Sequence, residues 1–489
     1  MRAKQFLALL EVDKIHNYIF ATNKLKEIRG ASYLLSKINE KETIRILQYY
    51  KYEPILSIGG MTKVIFDDED VAKAFLSEVE KLYKDVSISV TTHVEPINGN
   101  FSSALGRGEK AIRRKKESKQ YSYQLNTSPY YKRCSLCSIY PAIKKDKKYD
   151  WLCTSCSAKR GQSKEELDIH KMIKKKFKEN GRDIRFPSEF SKIGESSKRD
   201  GYMGFIIADA NRMGEKIREI QNQDKLRQFS EKVEKINKSC LVDAIWHAFE
   251  NTTLKDKEDN LLPVNILILG GDDMMMVTTA ETATKIALEY CENFQKYSNS
   301  KEDSSTREIS ISAGVVIAKD TYPINSYVTL GEELLKIAKK KSREYRKEDK
   351  EVGTIDYKVV TAASSESIKI SRYKKERYYK KDNNEFLLTF KPYSLEDMKK
   401  LIDFCTDFKK NNFPRNKIKS LEKILRLGKD ASILEFLTMK SRLSNNQKAL
   451  MNKFLREFNI IDQIQMPWRK ENDEYKTNLL DLVEIYDFC

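Results

Sequence analysis

Residues 264–279 read VNILILGGDDMMMVTT, and this stretch decides the fold of the second half of the chain. Two apolar runs flank a glycine pair and an acidic pair. This pattern is typical of two buried strands joined by a tight turn, because glycine adopts the backbone angles that such turns require. We therefore predict strands over 264–269 and 274–279, with the turn at 270–273 between them.

The segments around this hairpin complete a β-α-β-β-α-β order. We predict a strand over 204–208 that ends at Asp209, an amphipathic stretch over 213–249, a helix over 282–297 and a strand over 309–318. In a sheet of this order the first and third strands are neighbours. Asp209 is therefore expected beside the 270–273 turn.

The same order occurs earlier in the chain. We predict strands over 6–12, 53–58, 63–66 and 86–94, with helical patterns over 15–50 and 71–83. In this copy Asp13 takes the place of Asp209, and Gly59-Gly60 takes the place of Gly270-Gly271. Met61 and Thr62 stand where the second copy has its acidic pair. The first copy is thus predicted to be degenerate, and Asp13 is equally compatible with an ordinary strand-end residue.

The predicted fold class is α+β, with two ferredoxin-like palm domains, a four-cysteine zinc insert and an α-helical C-terminal domain. The helical prediction for the C-terminal part rests on amphipathic patterns over 395–410, 418–427, 432–443 and 447–458. The predicted domains are a degenerate palm (1–100), a basic linker with the cysteine module (101–200), a second palm (201–378) and the helical domain (379–489).

Charge and hydropathy bound the possible partners. Ninety Lys and Arg against 72 Asp and Glu give a net charge of +18, which favours polyanions such as nucleic acids and nucleoside triphosphates. The same excess is equally compatible with a Lys-rich genome. No apolar run reaches the roughly 18 residues of a membrane span, and no signal-peptide pattern is present. We expect a cytoplasmic protein with no membrane association.

Four cysteines form a metal-binding pattern. Cys134 and Cys137 are followed after fifteen residues by Cys153 and Cys156, which is the spacing of two knuckles that close a four-thiolate Zn²⁺ site. Such a site has no open coordination position, so a structural role is expected. Free buried thiols or disulfides are the alternatives.

The acidic residues of the second palm predict metal-dependent phosphoryl transfer. Carboxylates on adjacent strands hold the Mg²⁺ or Mn²⁺ ions that bind triphosphate oxygens, so Asp209, Asp272 and Asp273 are the predicted catalytic ligands. Gly270 and Gly271 would let a nucleotide approach the backbone. Ser312 lies on a strand of small residues that leaves room for a base, and Lys339 on a basic helix is the predicted polyphosphate contact. A simple hairpin turn at 270–273 and a solvated Lys339 remain the alternatives.

At this point the sequence resembles the large polymerase-cyclase subunit of type III CRISPR effector complexes and its standalone relatives with a CRISPR-type second palm. The resemblance covers about residues 1–375. It rests on the cysteine insert and on five further motifs: DKIHNYIF (13–20), RGASYLL (29–35), ADANRMG (208–214), SISAG (310–314) and IDY (355–357), together with GGDD (270–273).

The resemblance implies that the chain converts ATP into cyclic oligoadenylate second messengers for antiviral defence. It implies that the three aspartates bind two Mg²⁺ or Mn²⁺ ions, that Ala210 and Asn211 join the nucleotide-binding residues, and that the first palm holds the acceptor nucleotide. Many family members carry a histidine-aspartate nuclease domain. No His-Asp dipeptide occurs here, and we expect no cleavage of DNA.

Two further readings stay open. The chain could be a non-catalytic nucleotide- or RNA-binding scaffold or sensor subunit of a defence complex. Its partners could be guide or target RNA and CRISPR effector subunits, or it could act as a self-contained homo-oligomer. The basic runs 113–116 and 174–176 are compatible with RNA contact and equally with solvated helix faces.

Overall fold

The computed structural model describes residues 5–119, 131–146, 150–251, 260–299, 309–348, 350–361, 377–460, 466–471 and 474–489. Parts of the predicted linker (120–130 and 147–149) and of the predicted second palm (252–259, 300–308 and 362–376) lie outside the described residues.

The first sheet has four antiparallel strands in the order β2-β3-β1-β4. Its strands are β1 (Phe6–Val12), β2 (Pro54–Ile58), β3 (Met61–Phe66) and β4 (Val90–Pro96). The helical elements are α1 (Ile15–Ile19), α2 (Leu25–Ser36), a π-helical turn (Lys37–Glu42), α3 (Thr43–Tyr49), α4 (Glu69–Asp85) and α5 (Phe101–Ser118).

Strand β1 is buried on both faces, because successive side chains of a strand point to opposite sides of the sheet. Ala8 and Leu10 pack in the cluster that contains α4, whereas Leu7 and Leu9 pack against α5. Helix α5, inside the predicted linker, therefore covers one face of the first sheet.

A short cysteine-rich module follows. It consists of the two-residue strands β5 (Lys144–Lys145) and β6 (Trp151–Leu152) and of α6 (Thr154–Gly161). Helices α7 (Asp168–Glu179) and α8 (Phe190–Ser196) come next in the chain. Ile169 and Ile193, from these two helices, pack on opposite faces of the second sheet.

The second sheet has six strands in the order β14-β11-β10-β7-β9-β8. The strands are β7 (Tyr202–Ala210), β8 (Val264–Gly270), β9 (Asp273–Thr279), β10 (Ile311–Lys319), β11 (Thr354–Val359) and β14 (Tyr393–Ser394). The helices are α9 (Met213–Glu219), α10 (Gln223–Phe249), α11 (Ala280–Ser298) and α12 (Ile324–Arg346). The predicted single stretch over 213–249 is thus two helices.

The order of β10, β7, β9 and β8 repeats that of the four strands of the first sheet. Ile206 and Ala208 of β7 face the cluster that contains α10 and α11. Phe205 and Ile207 face the opposite cluster, which contains α12 together with residues of α1 and α2. Helices of the first half therefore complete the core of the second sheet.

The C-terminal part is mainly helical and includes a small sheet that sequence patterning does not predict. The helices are α13 (Leu395–Lys410), α14 (Arg415–Ile424), α15 (Lys429–Ser441), α16 (Asn445–Glu457) and α17 (Leu479–Ile485), followed by a 3₁₀ turn (Tyr486–Phe488). The sheet is ordered β12-β13-β16-β15, from β12 (Tyr378–Lys381), β13 (Asn384–Leu387), β15 (Arg469–Glu471) and β16 (Glu474–Lys476). These helices share one hydrophobic cluster with the second sheet.

The α+β prediction is confirmed: helices and sheets alternate, a four-cysteine cluster is present, and the C-terminal part is helical. Among the described helices, none has the length and apolar character needed to cross a membrane.

Candidate active site

Three carboxylates lie at one end of the second sheet. Asp209 is the penultimate residue of β7 and is paired in register with Ser312 of β10. Ala208 pairs with Met274 on the other side, so the next step along the antiparallel ladder brings Asp209 beside Asp273. Asp272, the preceding residue of the turn, lies close enough to Asp209 for the Asp209 charge to raise the pKa of Asp272. Residues separated by about sixty positions in sequence therefore meet at this edge.

The pKa values of Asp272 and Asp273 are both raised, first by desolvation and then by neighbouring carboxylates. Desolvation, followed by the charges of Asp209 and Asp273, raises the pKa of Asp272 well above its ordinary value. Desolvation and Asp209 likewise raise the pKa of Asp273 to about 7, although Lys339 and His16 oppose the shift. Asp273 nevertheless remains exposed to water, so the desolvation comes from neighbouring protein atoms and not from complete enclosure. The site carries more negative charge than its own cations neutralise.

Lys339 is the nearest basic partner of the cluster. It lies on α12 and forms an ion pair with Asp209, and its ammonium group also donates a hydrogen bond of 3.0 Å to the Ala210 carbonyl oxygen. The predicted Lys339 is thus at the carboxylates and is not a solvated side chain.

Asn211 and Ser312 are brought together, but in a buried network. The Asn211 amide donates to the hydroxyl oxygens of Ser310, Ser312 and Ser342 at 2.7, 3.0 and 3.2 Å. Ser312 is fully buried, and its hydroxyl also lies 3.2 Å from that of Thr354. The predicted contact of Ser312 with a nucleotide is therefore not available in this conformation, and the geometry favours a supporting role for both residues.

The glycine turns of the two sheets contact each other. A methyl group on Gly270 would come within 2.8 Å of the Gly59 Cα atom, so only glycine allows this approach. Gly271 has a φ of 60° and faces open space, as the predicted turn requires. The Gly60 amide is held by the Asn39 side chain at 3.0 Å. The second palm's acidic turn therefore rests directly on the degenerate turn of the first palm.

A narrow cavity of about 60 Å³ runs along this contact. It is lined by residues of both halves, among them His16, Ser32 and Asp273. Its volume is far below the roughly 300–1,000 Å³ of typical small-molecule pockets. This cavity alone is therefore too small to enclose a nucleotide.

Comparison with known proteins assigns the region that contains these residues. Residues 202–347 match the family model described as Cas10/Cmr2, second palm domain. This region is similar to the second palm domain of Cas10/Cmr2 proteins. It extends from β7 to the end of α12, and so includes Asp209, the acidic turn and Lys339.

Solved structures similar to the chain include a Csm1-Csm4 cassette in complex with cA3, at 14% sequence identity and a TM-score of 0.57 over 94% of this chain and 66% of that chain. A cassette in complex with cA4 matches at 15% identity, a TM-score of 0.49, and 88% and 67% coverage. Csm1 in T. onnurineus matches at 15% identity, a TM-score of 0.48, and 83% and 61% coverage. The chain thus spans about two thirds of these chains, and the likeness to the cA3-bound cassette shows the fold. No curated protein matches the chain in sequence.

Two consecutive hydrogen bonds, which the sequence analysis did not predict, position the acidic turn of this Cas10/Cmr2-like palm. The Asn237 amide on α10 donates to the Gly271 carbonyl oxygen at 2.8 Å, and the Tyr290 hydroxyl donates to the Asn237 side-chain oxygen at 2.7 Å. Asn237 and Tyr290 are both buried. The acidic turn is thereby anchored to the two helices behind the sheet.

Asp13 does not join the acidic site. It lies just after β1 and accepts hydrogen bonds from Ser89 (2.7 Å), Thr91 (2.8 Å) and Lys119 (2.8 Å). Burial opposes ionisation, but these partners lower the pKa of Asp13 below its ordinary value. Its environment fits the strand-end alternative, in which Asp13 ties β1 to β4 and to the end of α5.

The four predicted zinc ligands do converge. The sulfur atoms of Cys134, Cys137, Cys153 and Cys156 all lie within 4.8 Å of one another, and the Cys137 and Cys153 sulfurs are 3.9 Å apart. A tetrahedral site with metal-sulfur bonds of about 2.3 Å requires sulfur separations of roughly 3.8 Å. The donor set and its spacing fit a metal ion such as zinc.

The three aspartates are less tightly gathered than the cysteines. Within the described ranges, the cysteines form the only group of three or more potential ligands whose donor atoms all lie within 4.8 Å of each other. The aspartates nevertheless offer hard oxygen donors in a site with surplus negative charge, which suits Mg²⁺ or Mn²⁺. Such an ion would compete with Lys339 for Asp209.

The basic runs are largely used within the chain. Lys116 binds Glu11 at 2.8 Å, and Lys115 donates to the Thr92 carbonyl oxygen at 2.8 Å. Lys174 and Lys176 form ion pairs of 2.6 and 3.4 Å with acidic side chains. These contacts fit the interpretation of both runs as solvated helix faces at least as well as they fit RNA binding.

Proposed function

We propose that the chain is a metal-dependent nucleotidyltransferase that joins ATP molecules into cyclic oligoadenylates, as a second-messenger enzyme of CRISPR-type antiviral defence. The observation that carries the proposal is the meeting of Asp209, Asp272 and Asp273 beside Lys339 at an accessible sheet edge. A scaffold without catalysis has no need to concentrate carboxylates where a triphosphate would bind.

In the proposed reaction, an acceptor hydroxyl oxygen attacks the α-phosphorus of ATP. The new bond joins that oxygen to the α-phosphorus, the bond to the bridging oxygen of the β-phosphate breaks, and pyrophosphate leaves with its electron pair. The hydroxyl proton passes to solvent. Bound Mg²⁺ or Mn²⁺ would neutralise the phosphate oxygens and activate the hydroxyl.

The residues of the chain would divide this work. Asp209, Asp272 and Asp273 would hold the ions, and Lys339, once released from Asp209, would contact the polyphosphate. Gly271 leaves open space for the nucleotide at the turn. The first palm, in direct contact with that turn through Gly59, would position the acceptor nucleotide.

The cysteine cluster is assigned a separate role in this proposal. A four-thiolate zinc site is closed to substrate and stabilises the fold around it. Helix α6, which carries Cys156, lies against α2 of the first palm, where the Lys159 carbonyl leaves no space for a side chain at Gly30. Zinc would thus hold α6 against α2.

The test is a product assay with the full chain. Each labelled nucleoside triphosphate is incubated with Mg²⁺ or Mn²⁺, with and without RNA, and the products are resolved by chromatography and mass spectrometry. We expect pyrophosphate and cyclic product from ATP, with turnover reduced to background in Asp272→Ala plus Asp273→Ala. The matched control, Glu69→Ala plus Asp70→Ala, changes an exposed acidic pair of the first half and should retain turnover.

Two results would contradict the enzyme. Equal turnover by the Asp272→Ala plus Asp273→Ala protein would remove the proposed site. Tight ATP binding without turnover under every condition would assign the chain to the alternative class, a nucleotide sensor or scaffold. Dependence of turnover on added RNA or on protein concentration would identify RNA or a homo-oligomer as the activating partner.

A further inference from the structure

A second and larger cavity lies away from the carboxylates. Its volume is about 780 Å³, and it is bounded by the first turn of α2, the cysteine module, the start of α8 and Asp320. Ser312 lies near the start of β10, beside Asp209, and Asp320 follows the other end of the strand, eight residues further along. Eight residues of extended strand span roughly 26 Å. The cavity is therefore distinct from the palm site.

Arg29 lines this cavity and is its most unusual residue. The side chain is buried (9% exposed), yet it forms no hydrogen bond or ion pair within the part of the chain that the structure describes, and its Nε atom has no partner. The acidic group that acts electrostatically on Arg29 is Glu166. Its carboxylate is already bound by Lys174 at 2.6 and 2.9 Å. A buried guanidinium without a partner destabilises a fold unless a bound group satisfies it.

The start of α2 faces the same cavity. This helix has 12 residues, and its N-cap, Lys24, makes no side-chain hydrogen bond to the first turn. The first amide groups of such a helix and the positive end of its dipole favour an anion. Lys24, Lys26 and Lys164 also line the cavity.

The acidic groups of the cavity mostly have cations of their own. Glu27 and Asp150 both bind Arg160, at 2.9 and 2.8 Å. Glu189 lies 3.7 Å from Lys26. Counted over the lining, five cations (Lys24, Lys26, Arg29, Arg160 and Lys164) stand against four carboxylates (Glu27, Asp150, Glu189 and Asp320), and Lys24, Arg29 and Lys164 form no ion pair with described residues. The local balance is positive.

We propose that this cavity binds a small phosphate-bearing ligand of mononucleotide size. Its phosphate would lie on Arg29 and the first turn of α2, and its apolar part against Leu25 and Phe190. The volume falls within the roughly 300–1,000 Å³ of small-molecule pockets. The site is separate from the proposed catalytic function and does not depend on it.

The test measures AMP binding to the full chain by calorimetry, in an Asp272→Asn plus Asp273→Asn background without added Mg²⁺, which removes ion-dependent binding at the palm. We expect binding that weakens at least tenfold in Arg29→Met and in Lys24→Ala plus Lys164→Ala. The control Arg45→Met removes an exposed arginine of α3 that pairs with Glu42 and should bind AMP normally.

Thermal unfolding gives a second readout that separates a binding arginine from a structural one. Without ligand, Arg29→Met should melt at a higher temperature than the parent chain, because an unpaired buried charge is removed, and AMP should no longer raise its melting temperature. A lower melting temperature of unliganded Arg29→Met, or unchanged AMP affinity in both variants, would overturn the proposal. Equal affinities for AMP and inorganic phosphate would overturn the nucleotide assignment.

Discussion

The side chain of Asn237 connects helix α10 to the acidic turn through a single amide. It satisfies the Gly271 carbonyl and is itself fixed by Tyr290. We expect Asn237→Leu, which keeps the branched shape and the number of non-hydrogen atoms but removes both hydrogen bonds, to destabilise the fold by about 1–3 kcal/mol. Turnover by the fraction of protein that remains folded should also fall, because Asn237 no longer holds the acidic turn in place.

Urea unfolding and the ATP product assay check this prediction together. Asn180→Leu is the matched control, since Asn180 is an exposed residue at the end of α7 and surface changes usually stay within about 0.5 kcal/mol. An Asn237→Leu protein with unchanged stability and unchanged turnover would show that the turn does not need this anchor.

Asp356 provides a pH-dependent prediction. It is buried in β11, and desolvation raises its pKa to about 7, with Lys391 opposing and Glu484 and Asp481 adding to the rise. An unfolded aspartate has a pKa of about 3.9. The folded chain therefore retains a proton that the unfolded chain loses between these values, and this contribution to stability is lost as the pH rises from about 4 through about 7.

Asp356→Asn should remove that dependence. The parent chain should lose stability between pH 4 and pH 8, whereas Asp356→Asn should not lose this contribution. The free energy of unfolding of the variant should therefore increase relative to that of the parent chain as the pH rises. Denaturant unfolding across this range measures the difference. A difference that stays constant with pH would show that Asp356 does not titrate within it.

Sequence reasoning finds some site residues and misses others for a physical reason. Asp209 and the acidic pair stand at strand ends in a recognisable topology, so their meeting could be predicted. Asn237 lies on an amphipathic helix 34 residues from its partner Gly271, and nothing in its neighbourhood marks it. Ser312 was predicted from the small residues around it, but its burial depends on Asn211, Ser342 and Thr354 in three dimensions.

At the scale of elements, the packing of α2 on α6 depends on Gly30. A methyl group there would lie 1.9 Å from the Lys159 carbonyl oxygen. We expect Gly30→Ala to destabilise the chain by about 1–3 kcal/mol, because the two helices must move apart. Gly106→Ala is the control: Gly106 lies within α5 with nothing within 4 Å, and alanine should stabilise that helix by up to about 1 kcal/mol. Chemical denaturation of both variants decides whether α6 is docked this closely.

The cysteine module should contain one metal ion per chain. We expect Cys134→Ser to lose zinc and to expose α6 to proteolysis, because three thiolates no longer close the site. Elemental analysis and limited proteolysis measure the two effects. Cys291→Ala, which changes a buried cysteine of α11 outside the cluster, should keep its zinc. A folded wild-type chain without zinc would refute the assignment.

Long elements could be predicted and short ones could not. Helix α13 and strands β1, β8 and β9 carry clear 3.6-residue or apolar patterns, and their predicted bounds lie within about a residue of the observed ones. The sheet of β12, β13, β15 and β16 consists of strands of three or four residues, which are too short to show a period. Strands β12 and β13 come from the start of the C-terminal region and β15 and β16 from its end, so their pairing depends on how the helices between them fold.

At the scale of the whole molecule, the duplication is visible in sequence but the sharing of cores is not. Ile19 and Ile28, from α1 and α2, pack in the cluster of the second sheet, whereas Leu35, near the end of α2, packs with the first. Ser32 of α2 also donates a hydrogen bond of 2.5 Å to the Leu267 carbonyl oxygen of β8. This arrangement joins the two halves and sets the Gly59 and Gly270 turns against each other.

The position of bound ions tests the central proposal most directly. Crystals of the full chain with Mn²⁺ and a non-hydrolysable ATP analogue would show the ions by anomalous scattering. We predict peaks between Asp209 and the Asp272 and Asp273 carboxylates, in contact with the triphosphate and with Lys339 displaced from Asp209. An analogue bound elsewhere in the chain, with no ion at these three aspartates, would contradict the proposed active site.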